Sequence, residues 1–446
     1  MSEFQFSVRQ VLIIIAVTLS GVLVSVGVDI PLFFGFLPGF LLLIMLVLNK
    51  GAKLGDVVLI SWDGVKKTRG VIYILLMVSF LLPSWYVSGV IDQLVSIALH
   101  LITPDHFFVL SFFIALVFSM ILGTSVGTLS AVGIPIMSSA LALDLPMAIT
   151  AGALISGAFV GDRTSPFSSS HQLLSHTVEV RTGVQFRKFL PTTLAATAIC
   201  LASYMALDAQ NQLGSTIFVS DAYQWSGLSL IKFLPPVILI VFVILRIKIL
   251  YAFICSVLTA IIIALYGGMA PSSVIQSLWF GAEGIGGGLS SMYFLLLFLA
   301  LAGAFNGVLE GYRVIQPLLD RWLSHSRGLF SDSFKTILAT FVISLISANQ
   351  TLPIILTGRS FLQHWNEKYN QAELARVMGD STMLFPGMIP WSVLAIMCST
   401  ILGVPILSYL PYAVFLWVLP LLTMILSFYR QYMKKRIRYI KAGSAN

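Results

Sequence analysis

Apolar runs, most of them near the length needed to cross a bilayer, follow one another along the chain, separated by short polar stretches. Val11–Val28 and Pro31–Leu48 read as two spans joined by a tight turn at Asp29-Ile30-Pro31. Lys50–Arg69 reads as a loop, and Val71–Leu99 as a long span interrupted at Pro83-Ser84-Trp85. Phe107–Leu122 runs into Gly123-Thr124-Ser125-Val126-Gly127-Thr128, where glycine and hydroxyl residues loosen a helix and free its carbonyls. Pro146 starts a segment that becomes abruptly polar within Ser156–His171, which carries Asp162, Arg163, Pro166 and a cluster of hydroxyls. Later come Leu230–Leu245, Tyr251–Tyr266, Met292–Leu309 and Ile337–Ile346. The last of these enters a second polar break, Ser347-Ala348-Asn349-Gln350-Thr351-Leu352-Pro353. A hydrophilic patch from Arg359 to Arg376 precedes Gly379-Asp380-Ser381-Thr382, and apolar segments continue to Phe428. The predicted fold class is an all-α polytopic membrane protein with broken helices and about 11–13 membrane segments.

Composition removes the alternatives. Of 446 residues, 58% are hydrophobic and 10% charged, against about 25% charged in a soluble domain. The net charge of +8 is no nucleic-acid signature, because most Lys and Arg sit between the apolar runs. There they orient the chain through the positive-inside rule. The stretch 50–69 holds Lys50, Lys53, Lys66, Lys67 and Arg69 and is assigned to the cytoplasm; 208–229 and 267–291 hold no Lys or Arg and are assigned outside. Both termini are then expected in the cytoplasm of a cell-membrane protein. Cys200, Cys255 and Cys398 lie inside apolar runs with no Cys-x-x-Cys pair, as inert thiols do. The six histidines form no metal-ligand motif, and no Ser or Cys nucleophile has a placed His, so neither a cofactor nor an enzyme is implied. His171 reads as a loop histidine, and Glu310 as the surface partner of Arg313.

The halves align at a constant offset of 218 residues, which puts Pro31 on Ile249, Gly70 on Gly288, Gly89 on Gly307 and Asp162 on Asp380. The five basic residues of 50–69 have no counterpart in 268–287, so equivalent segments face opposite sides. That is the pattern of an inverted-topology repeat. The expected organisation is 10–207 and 228–428 as two repeats, with 429–446 a basic cytoplasmic tail.

Four motifs in order carry a family likeness. Ser156–Ser170 resembles the NhaC-type Na+/H+ antiporter signature, approximately Ser-Gly-Ala-Tyr-Phe-Gly-Asp-Lys-Met-Ser-Pro-Leu-Ser-Asp-Thr, and keeps Ser156, Gly157, Ala158, Gly161, Asp162, Ser165, Pro166 and Ser168. Gly123–Thr128 resembles the family's Gly-Thr-Ser-Trp-Gly-Thr. Pro353–Phe361 is similar to Leu-Pro-Gly-Arg-Met-Phe. Asp380-Ser381 with Ile389-Pro390-Trp391 is similar to Asp-Ser-Gly-Thr…Ile-Pro-Trp-Asn. The departures are Ser169 for the signature's second carboxylate, Asn349 for an acid before Gln350, Thr382 for a glycine and Ser392 for an asparagine. The resemblance implies a divergent member of that family, exchanging Na+ for H+ by alternating access. Relatives in the same superfamily carry organic acids or amino acids, so a small organic acid or amino acid is the alternative cargo.

Within this frame Asp162 and Asp380 are the expected cation- and proton-binding groups. Removal from bulk water favours a carboxylate's neutral form, which lets Na+ and H+ compete for one group near neutral pH. Thr124, Ser125, Thr128, Ser165, Ser168, Asn349 and Gln350 are expected to complete an oxygen shell, and Arg359 is a candidate charge partner. The bland readings are a helix cap for Asp380, interhelical hydrogen bonds for Asn349 and Gln350, a snorkelling side chain for Arg359 and pairing of Asp162 with Arg163. The expected partners are Na+, H+, the lipid bilayer and a second copy of the chain as a candidate, with no nucleic acid.

Overall fold

A computed structural model describes residues 6–28, 30–93, 106–211, 229–245, 247–281, 288–322 and 328–443. Asp29 of the predicted tight turn lies outside the described residues. So do the end of the predicted span at Leu99, most of the predicted outer loop before Ser229, and most of the glycine-rich run before Gly288.

The regular elements among the described residues are all helical. In chain order the helices are α1 (Val8–Val28), α2 (Leu32–Asn49), α3 (Leu54–Val87) and α4 (Phe107–Leu122). Next come α5 (Ser125–Ala142), α6 (Met147–Thr164), α7 (Ser169–Thr177) and α8 (Thr182–Gln210). The later part has α9 (Leu234–Ile244), α10 (Ile249–Tyr266), α11 (Pro271–Phe280), α12 (Leu289–Gly311) and α13 (Gln316–Trp322). The chain closes with α14 (Leu329–Ser347), α15 (Thr351–Lys368), α16 (Gln371–Gly379), α17 (Val393–Leu402), α18 (Ile406–Tyr412) and α19 (Val414–Gly443). Among the described residues nine helices are long and apolar enough to cross a bilayer, and up to ten if α17 and α18, bent by 86°, form one span. Phe107–Leu122 and Leu230–Phe242 are shorter apolar helices. The protein is the all-α, multi-pass membrane protein expected.

Three local expectations need correction. The stretch 50–69 is not a loop: from Leu54 on it is the first half of the 34-residue helix α3. Its charges sit at helical spacing, with Asp63 and Lys66 paired at 3.2 Å, while Val57 and Gly64 are buried on another face. Pro83 does not interrupt α3 either. A proline within a helix leaves the carbonyl four residues earlier without its donor. Here that carbonyl, of Ser79, accepts the N–H of Gly288 at 2.9 Å, so the proline docks the start of α12 onto α3. Nearby, Glu310 pairs with Lys67 at 3.0 Å rather than with Arg313.

Two apolar cores divide the molecule. One gathers α4, α5, α6, α10 and the start of α19; the other gathers α1, α2, α12, α14, α15 and α16. Helices α3, α8 and α17 contribute to both, and Val126 and Met388 touch both. The polar breaks lie where the cores meet.

Each break has its own physical cause. Gly123 ends α4 in the left-handed region at φ 69°, and a Cβ there would lie 2.6 Å from the Phe167 backbone, so both conformation and space require glycine. The second break makes the same left-handed turn with Ala348 at φ 51°, an unfavourable conformation for a residue with a Cβ. Tertiary bonds hold it. Ala348 O accepts Val393 N at 2.8 Å, Ser347 O accepts Asn306 Nδ2 at 2.7 Å, and Leu345 O accepts Trp391 Nε1 at 2.7 Å.

Helix α6 is buried along nearly its whole length, and α4 lies directly against it. The carboxylate of Asp208 on α8 fastens the start of α4 by accepting the N–H groups of Phe108 (2.8 Å) and Val109 (3.1 Å). A Cβ at Gly161 would lie 2.0 Å from the Ser119 backbone of α4. Gly161→Ala is therefore expected to destabilise the protein by about 1–3 kcal/mol, as overpacked contacts do. Gly55→Ala, where a Cβ meets nothing within 4 Å, is the neutral control. Thermal unfolding in detergent, followed by size-exclusion chromatography, compares the two.

Candidate functional site

The site grows out of the first break. After Gly123, Thr124 adopts an extended conformation and caps α5, its hydroxyl accepting Gly127 N–H at 3.4 Å. This exposes the first N–H groups of α5 in the protein interior, where a helix N-terminus favours negative charge. The N–H of Ser125 points at Asp162 Oδ1, 3.4 Å away. Asp162 is 6% exposed, near the C-terminal end of α6. Its Oδ2 accepts the Gln350 Nε2 of the second break at 3.1 Å. Among the described residues Asp162 enters no ion pair.

Gln350 is the hub between the breaks. Its Nε2 also donates to Met383 O at 2.8 Å, and its Oε1 accepts Ser170 Oγ at 2.6 Å. One carboxamide thus ties α6, α7, the turn after α16 and the start of α15. Ser125 Oγ is buried and has no hydrogen-bond partner among the described residues, which leaves it available as an oxygen ligand beside Asp162.

The remaining predicted ligands serve the backbone. Thr128 Oγ1 donates to Thr124 O at 2.7 Å, and Ser165 Oγ to Met120 O at 2.8 Å. Ser168 donates to Asp162 O and accepts His171 N–H at 3.1 Å, capping α7. Asn349 Oδ1 caps α15 by accepting Leu352 N–H at 2.9 Å. His171 is no loop histidine: it is fully buried in α7, with Nδ1 2.8 Å from Arg163 O.

Asp380 lies in different company. Both it and Arg163 are fully buried, and they form an ion pair. Arg163 also donates to Gly379 O at 3.1 Å, Thr164 at 3.1 Å, Thr193 at 2.5 Å and Thr192 at 3.0 Å, and stacks 4.3 Å over the Phe189 ring. Asp380 accepts the hydroxyls of Thr192 (3.1 Å) and Thr423 and lies 3.7 Å from Arg376 Nη1. Three hydrogen bonds and the neighbouring Arg376 guanidinium occupy this carboxylate. Arg163 is the counter-charge of Asp380 and does not pair with Asp162. Arg359 is exposed on α15 and enters no ion pair among the described residues.

Arg376 extends the network to Glu373 at 3.1 Å, Thr423 at 3.1 Å and Ser427 at 3.4 Å. Glu373, on the short helix α16 outside the spanning set, also pairs with Lys188 at 3.0 Å and Arg430 at 2.7 Å. Burial works against its charge, but Arg376 and the two rim cations outweigh it and hold its carboxyl down at about 2.

The residues missed from sequence are Ser170, the Met383 carbonyl, and the Arg163, Thr192, Thr193 and Thr423 cage around Asp380. One signal was available for the cage. A guanidinium and a carboxylate in apolar surroundings have strong reason to meet.

A multi-pass helical protein with a carboxylate buried beside two broken helices has the build of a secondary transporter. The profile of the Na+/H+ antiporter family matches residues 211–430. The Na(+)/H(+) antiporter NhaC of Bacillus subtilis is 26% identical over 83% of this chain and 86% of its own length. Its namesake in Alkalihalophilus pseudofirmus is 28% identical over 82% and 83%. The arginine/ornithine antiporter ArcD of Halobacterium salinarum is 27% identical over 84% and 82%. These likenesses support a divergent NhaC-type member of the Na+/H+ antiporter family.

The two carboxylates are expected to answer substitution differently. Asp380→Ala leaves Arg163 buried and unpaired, which costs about 3–5 kcal/mol, so the protein should fail to purify as a monodisperse species. Asp162→Asn keeps the size and one of the two acceptor oxygens, leaves no buried charge unpaired, and should purify as wild type. Fluorescence-detected size-exclusion chromatography of both variants checks this.

Proposed function

We propose that this protein is a Na+/H+ antiporter of the cell membrane that exports Na+ in exchange for H+, with Asp162 as the group that carries each in turn. The observation behind this reading is the environment of Asp162. It is a buried carboxylate at a helix N-terminus, without a cationic partner among the described residues and held by two neutral donors. A protonated Asp162 is neutral and suits the apolar surroundings. An ionised one attracts Na+, which takes a carboxylate oxygen together with Ser125 Oγ. The Gln350 amide nitrogen cannot ligate a cation, so Na+ entry means that this N–H leaves Asp162 or that the carboxamide turns its oxygen inward.

In this reading residues 10–207 and 228–428 are two inverted repeats, both termini and the tail 429–446 are cytoplasmic, and one repeat rocks against the other to expose Asp162 on alternate sides. Substrates are Na+ and H+, and the chain acts as a transporter rather than an enzyme. The likeness to an arginine/ornithine antiporter supports the second reading, exchange of a small organic acid or amino acid. The full engagement of Arg163 by Asp380 speaks against an anionic cargo at that guanidinium.

In proteoliposomes, Na+ is expected to dequench an internal pH dye, and Asp162→Asn to abolish the signal in a protein that still purifies. Wild-type rates in Asp162→Asn would remove this residue from transport. Arginine or a dicarboxylate driving counterflow, with no response to Na+, would establish the second reading.

A further inference from the structure

Helix α14 buries a polar face that the exchange at Asp162 leaves unexplained. Asp332, Thr336, Thr340, Ser344 and Ser347 recur at helical spacing, so they share one side, and each is at most 1% exposed. At 1.5 Å per residue they cover about 22 Å of the axis, from the start of α14 to the second break. Phe334 and Leu338, on the other side, are exposed. A hydroxyl in a helix commonly donates to the carbonyl one turn back. Ser111, Ser130, Ser138 and Ser139 do so in the first half of the chain, and Thr336 does so on α14. The next two hydroxyls of the face do not. Thr340 donates across to Thr382 Oγ1 at 2.9 Å, and Ser344 Oγ is buried with no hydrogen-bond partner among the described residues. Thr382 leads on to the exchange site. The carbonyl of its neighbour Met383 accepts Gln350 Nε2, and the same Nε2 holds Asp162.

A cluster closes the other end of the face. Asp332 accepts Tyr369 OH at 2.9 Å and lies 3.2 Å from His364 Nε2. Trp365 Nε1 donates to Thr336 Oγ1 at 3.2 Å, and its ring packs 5.1 Å from that of Tyr369. His364 and Tyr369 are half-buried, between the exposed Gln363, Asn366, Glu367 and Lys368. The cluster therefore stands between the buried face and water. Just beyond it Glu373 of α16 pairs with Arg430 of the basic tail, on the side assigned to the cytoplasm.

We propose that the buried polar face of α14 is the cytoplasmic access path to Asp162, and that Asp332, His364 and Tyr369 form the latch that closes its mouth. This rests on Asp162 as the exchanging group and adds the route by which it is reached from one side. Hydroxyl oxygens along the seam offer a dehydrating Na+ successive ligands, with a carboxylate at the entrance and no Lys or Arg among the five residues of the face. When α15 draws away from α14 the latch bonds part, Asp332 meets water, and the hydroxyl-lined seam opens towards Thr382. The latch exchanges hydrogen bonds within the protein for hydrogen bonds to water, a change with a small net cost, as a reversible gate requires.

The test is thiol labelling of the full-length protein in membrane vesicles, with Na+ and a pH gradient present so that both open states are visited. Thr340→Cys and Ser344→Cys change little in size. Each is treated with a membrane-impermeant methanethiosulfonate ammonium reagent in everted and in right-side-out vesicles. Wild type gives the background, since Cys200 and Cys398 are buried and Cys255 lies on α10. The expected result is labelling of both variants from the cytoplasmic side only, with a further loss of Na+-driven proton movement on modification. Labelling no faster than wild type, or equal from both sides, overturns the path, and so does exchange that modification leaves unaffected. Labelling from the cytoplasmic side, with no Na+-coupled proton movement by wild type, supports the path and overturns the antiporter reading, so the two failures are told apart. The latch has its own measurement. Tyr369→Phe keeps the ring and removes one hydrogen bond to the Asp332 carboxylate, and should speed labelling of Ser344→Cys about tenfold by favouring the open state. An unchanged rate in a monodisperse Tyr369→Phe variant overturns the latch. Labelling with the latch intact decides the path whether or not that variant folds.

Discussion

The buried pair of Arg163 and Asp380 is the interaction on which the rest of the structure depends. Two charges removed from water are tolerable only when paired and fully hydrogen-bonded. Satisfying them takes Thr192 and Thr193 from α8, Thr423 from α19, the Gly379 carbonyl and the ring of Phe189. Helices distant in sequence are thereby fixed around one point. The pair spans 217 residues and joins α6 to the end of α16, so the end of the first signature stretch is fastened to the second half of the chain.

Two adjacent residues divide the labour. Successive side chains on a helix point about 100° apart. Asp162 therefore faces α5 and Gln350 while Arg163 faces α8 and the end of α16. One carboxylate stays with neutral donors; the other is saturated. An acid suited to taking up and releasing a cation needs weak, replaceable partners, and the 3.4 Å and 3.1 Å contacts of Asp162 are of that kind. The structural role falls to the acid with the strong ones.

Much of this was legible in the residues. The break at Gly123 could be read because glycine and hydroxyl residues interrupt an apolar run, and Asp162 because a carboxylate stands where lipid-facing chemistry has no place. The second break at Asn349 and Gln350 showed the same contrast. The partner of Arg163 was not legible, because local spacing carries no information about a contact between segments so far apart. Arg359 and Arg163 both stand beside polar motifs, yet one is exposed and the other fully enclosed. The helical state of the segment from Leu54 to Arg69 was hidden for another reason. Its charge density looks like a loop to a hydropathy reading, while its apolar residues recur at a spacing that suits a helix packed on a neighbour. At Ala348 no glycine announces the left-handed turn, since tertiary bonds rather than local preference hold it.

Helix α3 carries a mechanical consequence. With 34 residues at 1.5 Å each it is about 51 Å long, some 20 Å more than the hydrocarbon layer is thick. It is braced at two levels. Lys67 holds Glu310 of α12 near its middle, and towards its C-terminal end Ser79 O receives Gly288 N while Trp85 Nε1 bonds Ser256 Oγ of α10. Two cross-braces on one beam make α3, α10 and α12 a stiff frame that resists shear. The groups that bond Asp162 lie outside that frame, and Asn306 of α12 ties the frame to the second break through Ser347 O, so the frame fixes the depth of the break without touching the acid.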